Sequence, residues 1–143
     1  MTHEKLIQFA LIWTSLLVIA SAGGCTSTSQ PPRVYPGIIA IHNASDKDLQ
    51  QVMLTEARSE PGESVRLGSV SPVPMGTIQQ IVRGTNAPPL PLWVKVRWLN
   101  AQGQAYAVEV SLAGILSRAT GAPGETLVFE IQSQGRLVLL LKN

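Results

Sequence analysis

The chain has 143 residues, of which 14% are charged and 45% are hydrophobic, and its formal net charge at pH 7 is +2. This composition excludes a disordered polyelectrolyte, because such chains combine low hydrophobicity with high net charge. The lysines and arginines are scattered and form no concentrated basic stripe, so no nucleic-acid partner is expected.

The first feature in chain order is an apolar run over residues 6–22. A polar start, an apolar core of about 7–15 residues and a small-residue exit make up a secretory signal peptide. The run is shorter than the roughly 20 apolar residues of a membrane-spanning helix, and Gln8, Thr14 and Ser15 interrupt it. We therefore interpret residues 1–24 as a cleaved signal peptide.

The exit of this run contains the only cysteine of the chain, Cys25, directly after Ala22, Gly23 and Gly24. These four residues resemble the bacterial lipobox, although that family usually has Leu where this chain has Ala22. The resemblance implies cleavage between Gly24 and Cys25, and attachment of a diacylglycerol anchor to Cys25. Because Thr26 follows instead of Asp, the resemblance also implies the outer membrane, with the protein facing the periplasm.

Two alternatives stay open at this exit. Ala20, Ser21 and Ala22 also form an A-x-A site for the ordinary signal peptidase, which would release a soluble protein with a free Cys25 thiol. Without cleavage, the run would remain as an anchor. Under the lipoprotein interpretation, residues 25–33 are small, polar or proline and form a flexible tether, and residues 34–143 form one domain.

The C-terminal half predicts two β-hairpins. Apolar and polar residues alternate over 92–99 and over 105–112, with a Gly-containing loop between them. Residues 126–131 alternate in the same way, and residues 136–142 follow a second turn. This last segment is apolar on both faces, which predicts a central strand or a strand with one face covered by another element. Residues 111–118 have helical spacing and predict one or two helical turns.

The N-terminal half predicts shorter strands at 37–42, 49–54, 65–70 and 77–83, separated by turn-forming segments. Seven or eight short strands with almost no helix favour a single all-β domain with a β-sandwich architecture. A small closed barrel is the alternative.

The segment from residue 38 to 110 resembles small bacterial lipoproteins with immunoglobulin-like domains. The resemblance rests on a strand-Asn-x-Ser turn over residues 41–45, a Leu-Pro-Leu-Trp-Val-Lys-Val-Arg-Trp strand over residues 90–98, and the hairpin loop over residues 100–104. It implies an immunoglobulin-like sandwich and transfers no site residues.

Residues that could support catalysis or metal binding do not form a recognised motif. His42 is the only histidine after the predicted signal peptide, and no G-x-S-x-G nucleophile elbow accompanies it. Asp46 and Asp48 lack the further oxygen ligands that Ca²⁺ requires and are expected to form an Asx turn. A loop position is also the simplest interpretation of three glutamates, Glu56, Glu60 and Glu63. We therefore predict no enzyme activity, no metal and no cofactor.

The most unusual internal segment contains Pro88, Pro89 and Pro91, followed by Trp93. Closely spaced prolines favour an extended polyproline II conformation, and an adjacent exposed Trp could anchor a protein partner. The alternative is a stiff crossover between two sheets with Trp93 packed beneath it.

Taken together, the sequence predicts a membrane-anchored, non-enzymatic lipoprotein that binds an envelope protein, through an edge strand or through the segment from Pro88 to Trp93. Two other functions stay open. The domain could be a periplasmic inhibitor or immunity protein, or it could carry a small ligand or a reaction in a pocket between the sheets, with His42 and Tyr106 as candidates.

Overall fold

The computed structural model describes residues 35, 37–57, 65–83 and 86–143. These residues form eight strands, one helix and a 3-10 turn at Ser133–Gly135. The elements in chain order are β1 (Ile38–Ala44), β2 (Leu49–Glu56), β3 (Arg66–Val70), β4 (Ile78–Ile81), β5 (Trp93–Asn100), β6 (Ala105–Ser111), α1 (Ala113–Leu116), β7 (Thr126–Gln132) and β8 (Arg136–Lys142). The predicted all-β fold is confirmed.

The strands form two four-stranded sheets that pack as a sandwich. Sheet 1 has the order β4-β1-β7-β8, and sheet 2 has the order β3-β2-β5-β6. Neighbouring strands are antiparallel except for β1 and β7, which run parallel. Two open sheets confirm the sandwich, and the closed-barrel alternative is wrong.

The core lies between the sheets and follows from the alternation of side chains along each strand. Strand β5 contributes Val94, Val96 and Trp98, which are all buried. Opposite them, β7 contributes three fully buried side chains, Leu127, Phe129 and Ile131. Full burial of each such side chain stabilises the fold by about 1.5–3 kcal/mol.

The β5–β6 hairpin forms as predicted. Its register runs without interruption from Trp93 opposite Ser111 to Leu99 opposite Ala105. Gly103 in the connecting loop has a φ of 79°, a left-handed conformation that costs glycine little.

Strand β8 does not lie at the centre of a sheet, which is one of the two placements that its sequence predicts. It pairs with β7 over all seven residues and forms the edge of sheet 1. Its inward residues, Leu137, Leu139 and Leu141, pack against the core, while Val138 and Leu140 lie half-buried on the outer face. The central-strand prediction is therefore wrong, because an apolar pattern reports burial of side chains and not the pairing of both backbone edges.

The loops separate by length between the two ends of the sandwich. Residues 45–48, 71–77, 101–104 and 133–135 connect strands at one end, which we call the short-loop end. Of the described residues, the opposite, long-loop end contains 57, 65, 82–83, 86–92 and 112–125.

The predicted signal peptide (residues 1–24), the tether (residues 25–33), Gly24 and Cys25 lie outside the described residues. Within the described ranges, every helix is too short or too polar to cross a bilayer.

The two sheets approach each other closely where β3 faces β4. Gly68 in β3 faces Ile81 in β4, and a Cβ atom built on Gly68 would lie 2.3 Å from the Ile81 Cγ2 methyl group. We expect Gly68→Ala to lower the free energy of unfolding by about 1–3 kcal/mol, because this layer has no space for another methyl group. Urea denaturation monitored by Trp fluorescence measures the change.

A matched control is Gly114→Ala in α1, where a new Cβ would contact nothing within 4 Å. Since alanine favours helix, this variant should be neutral or stabilised by up to about 1 kcal/mol. Equal stability of the two variants would contradict the close approach at Gly68.

Candidate binding surfaces

A buried asparagine organises the turn after β1. The Asn43 side chain is fully buried, and its amide nitrogen donates to the carbonyl oxygens of Lys47 and Val73, both at 2.9 Å. Its Oδ1 atom accepts hydrogen bonds from the Ser45 backbone N–H at 3.1 Å and hydroxyl at 2.6 Å. The strand-Asn-x-Ser pattern is therefore a rigid turn in which one amide replaces several backbone partners.

A second buried asparagine has the same role in the β5–β6 loop. The Asn100 Oδ1 atom accepts from the backbone N–H groups of Gln102 at 3.0 Å and Gln104 at 2.9 Å. Its amide nitrogen donates to Gln104 Oε1 at 2.9 Å. This loop is tied to the β1–β2 turn, because the Ala101 N–H donates to the Asp48 carbonyl oxygen at 2.9 Å.

These rigid loops enclose a cleft of about 290 Å³ at the short-loop end. The rings of Trp98 and Tyr106 stack in it with centroids 5.3 Å apart and an angle of 17° between their planes. Gly135 packs against the Tyr106 ring so closely that a Cβ there would lie 2.8 Å from a ring carbon. Most of the other lining residues are polar and include Asn100, Gln104, Gln132 and Gln134. Such a cleft can form hydrogen bonds with a small polar molecule.

The structure does not bring together the two residues considered for an enzyme pocket. Tyr106 lines the cleft, whereas His42 is half-buried on the outer face of sheet 1. The His42 Nδ1 atom lies 2.9 Å from Glu130 Oε2. The pKa of the Glu130 carboxyl is lowered. The largest cause is a hydrogen bond from the Gln132 side chain, and the next is the hydrogen bond with His42.

The two aspartates considered as Ca²⁺ ligands or Asx-turn residues form hydrogen bonds with other loops. Asp46 Oδ1 accepts a hydrogen bond from the Ser133 hydroxyl at 3.2 Å. Asp48 Oδ1 accepts from the Met75 backbone N–H at 2.8 Å.

Of the three glutamates, Glu56 lies in β2, while Glu60 and Glu63 are outside the described residues. Across the described ranges, no three His, Cys, Asp or Glu side chains are grouped to hold a metal ion.

A buried carboxylate closes the long loop between α1 and β7. Glu125 is 3% exposed and accepts hydrogen bonds from the backbone N–H groups of Thr120 and Gly121, each at 2.9 Å. These donors, above all the Thr120 N–H, lower the pKa of the Glu125 carboxyl. Burial, reinforced by the charge of Glu125, raises the pKa of the nearby Tyr35 hydroxyl to about 12.

The proline-rich segment links β4 of sheet 1 to β5 of sheet 2, as the crossover interpretation requires. Leu90 is buried and holds the segment against the core. Pro88 and Pro89 are exposed, and Pro91 and Trp93 are half-buried. The Arg83 guanidinium donates a hydrogen bond to the Pro88 carbonyl oxygen. Partial burial lowers the pKa of Arg83. The segment is therefore fixed to the domain at two points, with its prolines on the surface.

Among the four strands at sheet edges, β8 is longer than β3 and β4, and it has the same length as β6 but lacks a charged residue in its centre. Strand β4 has four residues, and β3 has five with a register shift opposite β2. Strand β6 carries Glu109, which forms an ion pair with Lys95 at 3.1 Å. Short length, irregular pairing and charge are the usual protections of an edge strand. Strand β8 is regular over seven residues and has charged side chains only at its ends, Arg136 and Lys142.

Sequence reasoning missed the roles of Asn100, Glu125 and Glu130. Asn100 was identifiable in principle, because it precedes a tight Gly-containing loop where Asn commonly accepts local backbone N–H groups. Glu125 accepts hydrogen bonds from residues four and five positions before it, a contact that no motif in the sequence marks. The contact of Glu130 with His42 depends on the pairing of two distant strands.

Comparison with known proteins places few limits on function. No family model matches the chain, and no curated protein matches it. Three solved chains show similarity. One is an NMR structure of a protein from Eubacterium rectale, which is 7% identical, covers 75% of this chain and 88% of its own, and superposes with a TM-score of 0.43.

The Glu125 contacts predict acid sensitivity. A carboxyl whose pKa is lower in the folded state stabilises the fold above its unfolded pKa of about 4.3, and this stabilisation is lost as the pH falls through the folded pKa. We expect the melting temperature of the wild type to decrease below about pH 4.3. The melting temperature of the Glu125→Gln variant should decrease less steeply over the same range. At pH 7 this variant should be less stable than the wild type, because its amide NH₂ opposes backbone donors.

Differential scanning calorimetry between pH 3 and 7 measures both effects. Glu130→Gln is a comparison variant, because it removes a second carboxyl whose pKa is lowered, on strand β7. Parallel curves for the wild type and Glu125→Gln would show that the loop carboxylate does not couple folding to protonation.

Proposed function

We propose that the protein is a lipid-anchored envelope protein that binds another protein and catalyses no reaction. The observation that carries this proposal is the free edge of β8. Within the described residues, no strand pairs with that edge, along which backbone N–H and C=O groups alternate beside apolar side chains. An extended segment of a partner can add to such an edge by backbone hydrogen bonding.

The lipobox resemblance supports the location of this binding. A diacylglycerol at Cys25, followed by the tether, would hold the immunoglobulin-like domain beside the outer membrane, facing the periplasm. Binding by strand addition fits a structural envelope component and also a periplasmic inhibitor, which blocks an enzyme by the same kind of contact. The surface at Pro88, Pro89, Pro91 and Trp93 is a second proposed contact region.

The anchor is tested by Cys25→Ser. We expect this variant to lose labelling with a radioactive fatty acid and to move from the membrane to the soluble fraction, because one thioether carries the lipid. Cell fractionation followed by immunoblotting measures the distribution. Thr26→Ser, which keeps the cysteine and a small polar neighbour, should remain in the membrane. Membrane retention of unlabelled Cys25→Ser would refute the anchor.

Binding at the β8 edge is tested by site-specific photo-crosslinking in cells. A benzophenone amino acid at position 138 should give an adduct of discrete mass in the envelope fraction, because an added strand would lie within a few ångströms of it. The matched control is position 107 on the edge strand β6, whose outward side chain is likewise a small apolar one.

Position 89 reports on the proline-rich segment in the same experiment. Adducts at position 138 alone would support the β8 edge, and adducts at position 89 alone would move the binding surface to the long-loop end. Absence of adducts at both positions, in a folded protein, would refute protein binding at either surface.

A further inference from the structure

We infer that the β8 edge accepts a partner strand in which five apolar residues are flanked at each end by Asp or Glu. This inference rests on the proposed function and specifies the chemistry of the partner. It follows from three features of β8, namely its free edge, its apolar centre and the charges at its two ends.

The apolar centre determines the middle of the partner. Leu137, Leu139 and Leu141 point toward the core yet remain half-buried, since they lie at the open margin of sheet 1. On the other face, Val138 and Leu140 lie beside β7, where Val128 is buried opposite Leu140. A neighbouring strand with apolar side chains on both faces would cover the inner leucines and extend the outer apolar surface.

The ends of β8 determine the flanks of the partner. Arg136 and Lys142 are exposed, lie six positions apart and therefore fall on the same face of the strand. Residues directly opposite them on an added strand would lie about 20 Å apart, at about 3.3 Å per residue. Acidic residues at those two places would pair with both cations, whereas cationic residues would be repelled. Because both ends of β8 are cationic, this preference is the same for a parallel or an antiparallel partner.

A second copy of β8 does not satisfy this pattern. In the fullest antiparallel pairing, centred on Leu139, Arg136 of each copy would lie opposite Lys142 of the other. Two like-charge pairs then oppose the contact. The N-terminal part of the same chain is also unsuited, because residues 6–45 contain no Asp or Glu and residues 31 and 32 are prolines without a backbone N–H.

The inference is tested with two fluorescent peptides, Glu-Val-Ile-Val-Ile-Val-Glu and Lys-Val-Ile-Val-Ile-Val-Lys, each extended by Gly-Ser at both ends. Anisotropy titrations use the full chain in detergent at low salt. We expect the acidic peptide to bind roughly tenfold more tightly than the basic one, with the difference narrowing in 1 M salt. In the double variant R136E/K142E, the order of the two peptides should reverse.

Hydrogen exchange of the β8 backbone amides distinguishes the possible failures. If both peptides protect β8 equally, or if the double variant keeps the wild-type order, strand addition stands and the acidic-flank inference is overturned. If neither peptide protects β8 and neither position 138 nor position 89 gives an adduct in cells, the proposed function fails as well. If R136E/K142E does not fold, as judged by circular dichroism, R136Q/K142Q replaces it and should bind both peptides within about threefold of each other.

Discussion

The fold depends on one apolar interface, the layer between the two sheets. The chain has a single cysteine, so it cannot form an internal disulfide, and the described residues contain no grouped metal ligands. Packing must therefore offset the conformational entropy that folding costs. Phe129 is fully buried in this layer, and Leu127 and Ile131 on the same face of β7 are equally buried, which leaves little space to relax after truncation. The positions of the loops and of the edge strands depend on how the two sheets pack in this layer.

Buried polar groups then determine how the loops leave the layer. Asn43 and Asn100 end their strands with side chains that replace missing backbone partners, and Glu125 does the same for the loop before β7. A buried amide or carboxylate is costly unless its hydrogen bonds are made, so each of these side chains favours one loop conformation over others. The rigid short-loop end and the closed long loop are consequences of the same principle.

The sequence was informative where a local pattern has one structural solution. Alternation in β5 and β6, with Gly103 between them, predicts a hairpin and its register, because the period of two fixes which side chains face the core. The prolines after β4 left two interpretations open, a partner-binding segment and a crossover, and the structure shows that the segment connects the two sheets. The edge position of β8 was not readable, since strand order is set by long-range pairing, and the pattern Leu-Val-Leu-Leu-Leu is equally compatible with the centre or the margin of a sheet. The His42–Glu130 pair was missed for the same reason, because the parallel pairing of β1 with β7 creates it.

The edge position gives the charges on β8 a meaning that they would lack in a central strand. An unprotected apolar edge promotes association with any extended chain, including other copies of itself. Binding specificity is a difference between affinities, and a repulsive contact with the wrong partner contributes to it as much as an attractive contact with the right one. Arg136 and Lys142 can do both, since they oppose each other in the fullest self-pairing and attract an acidic partner. Under the proposed strand addition, the two exposed cations at the ends of β8 would favour an acidic partner over another copy of the same strand.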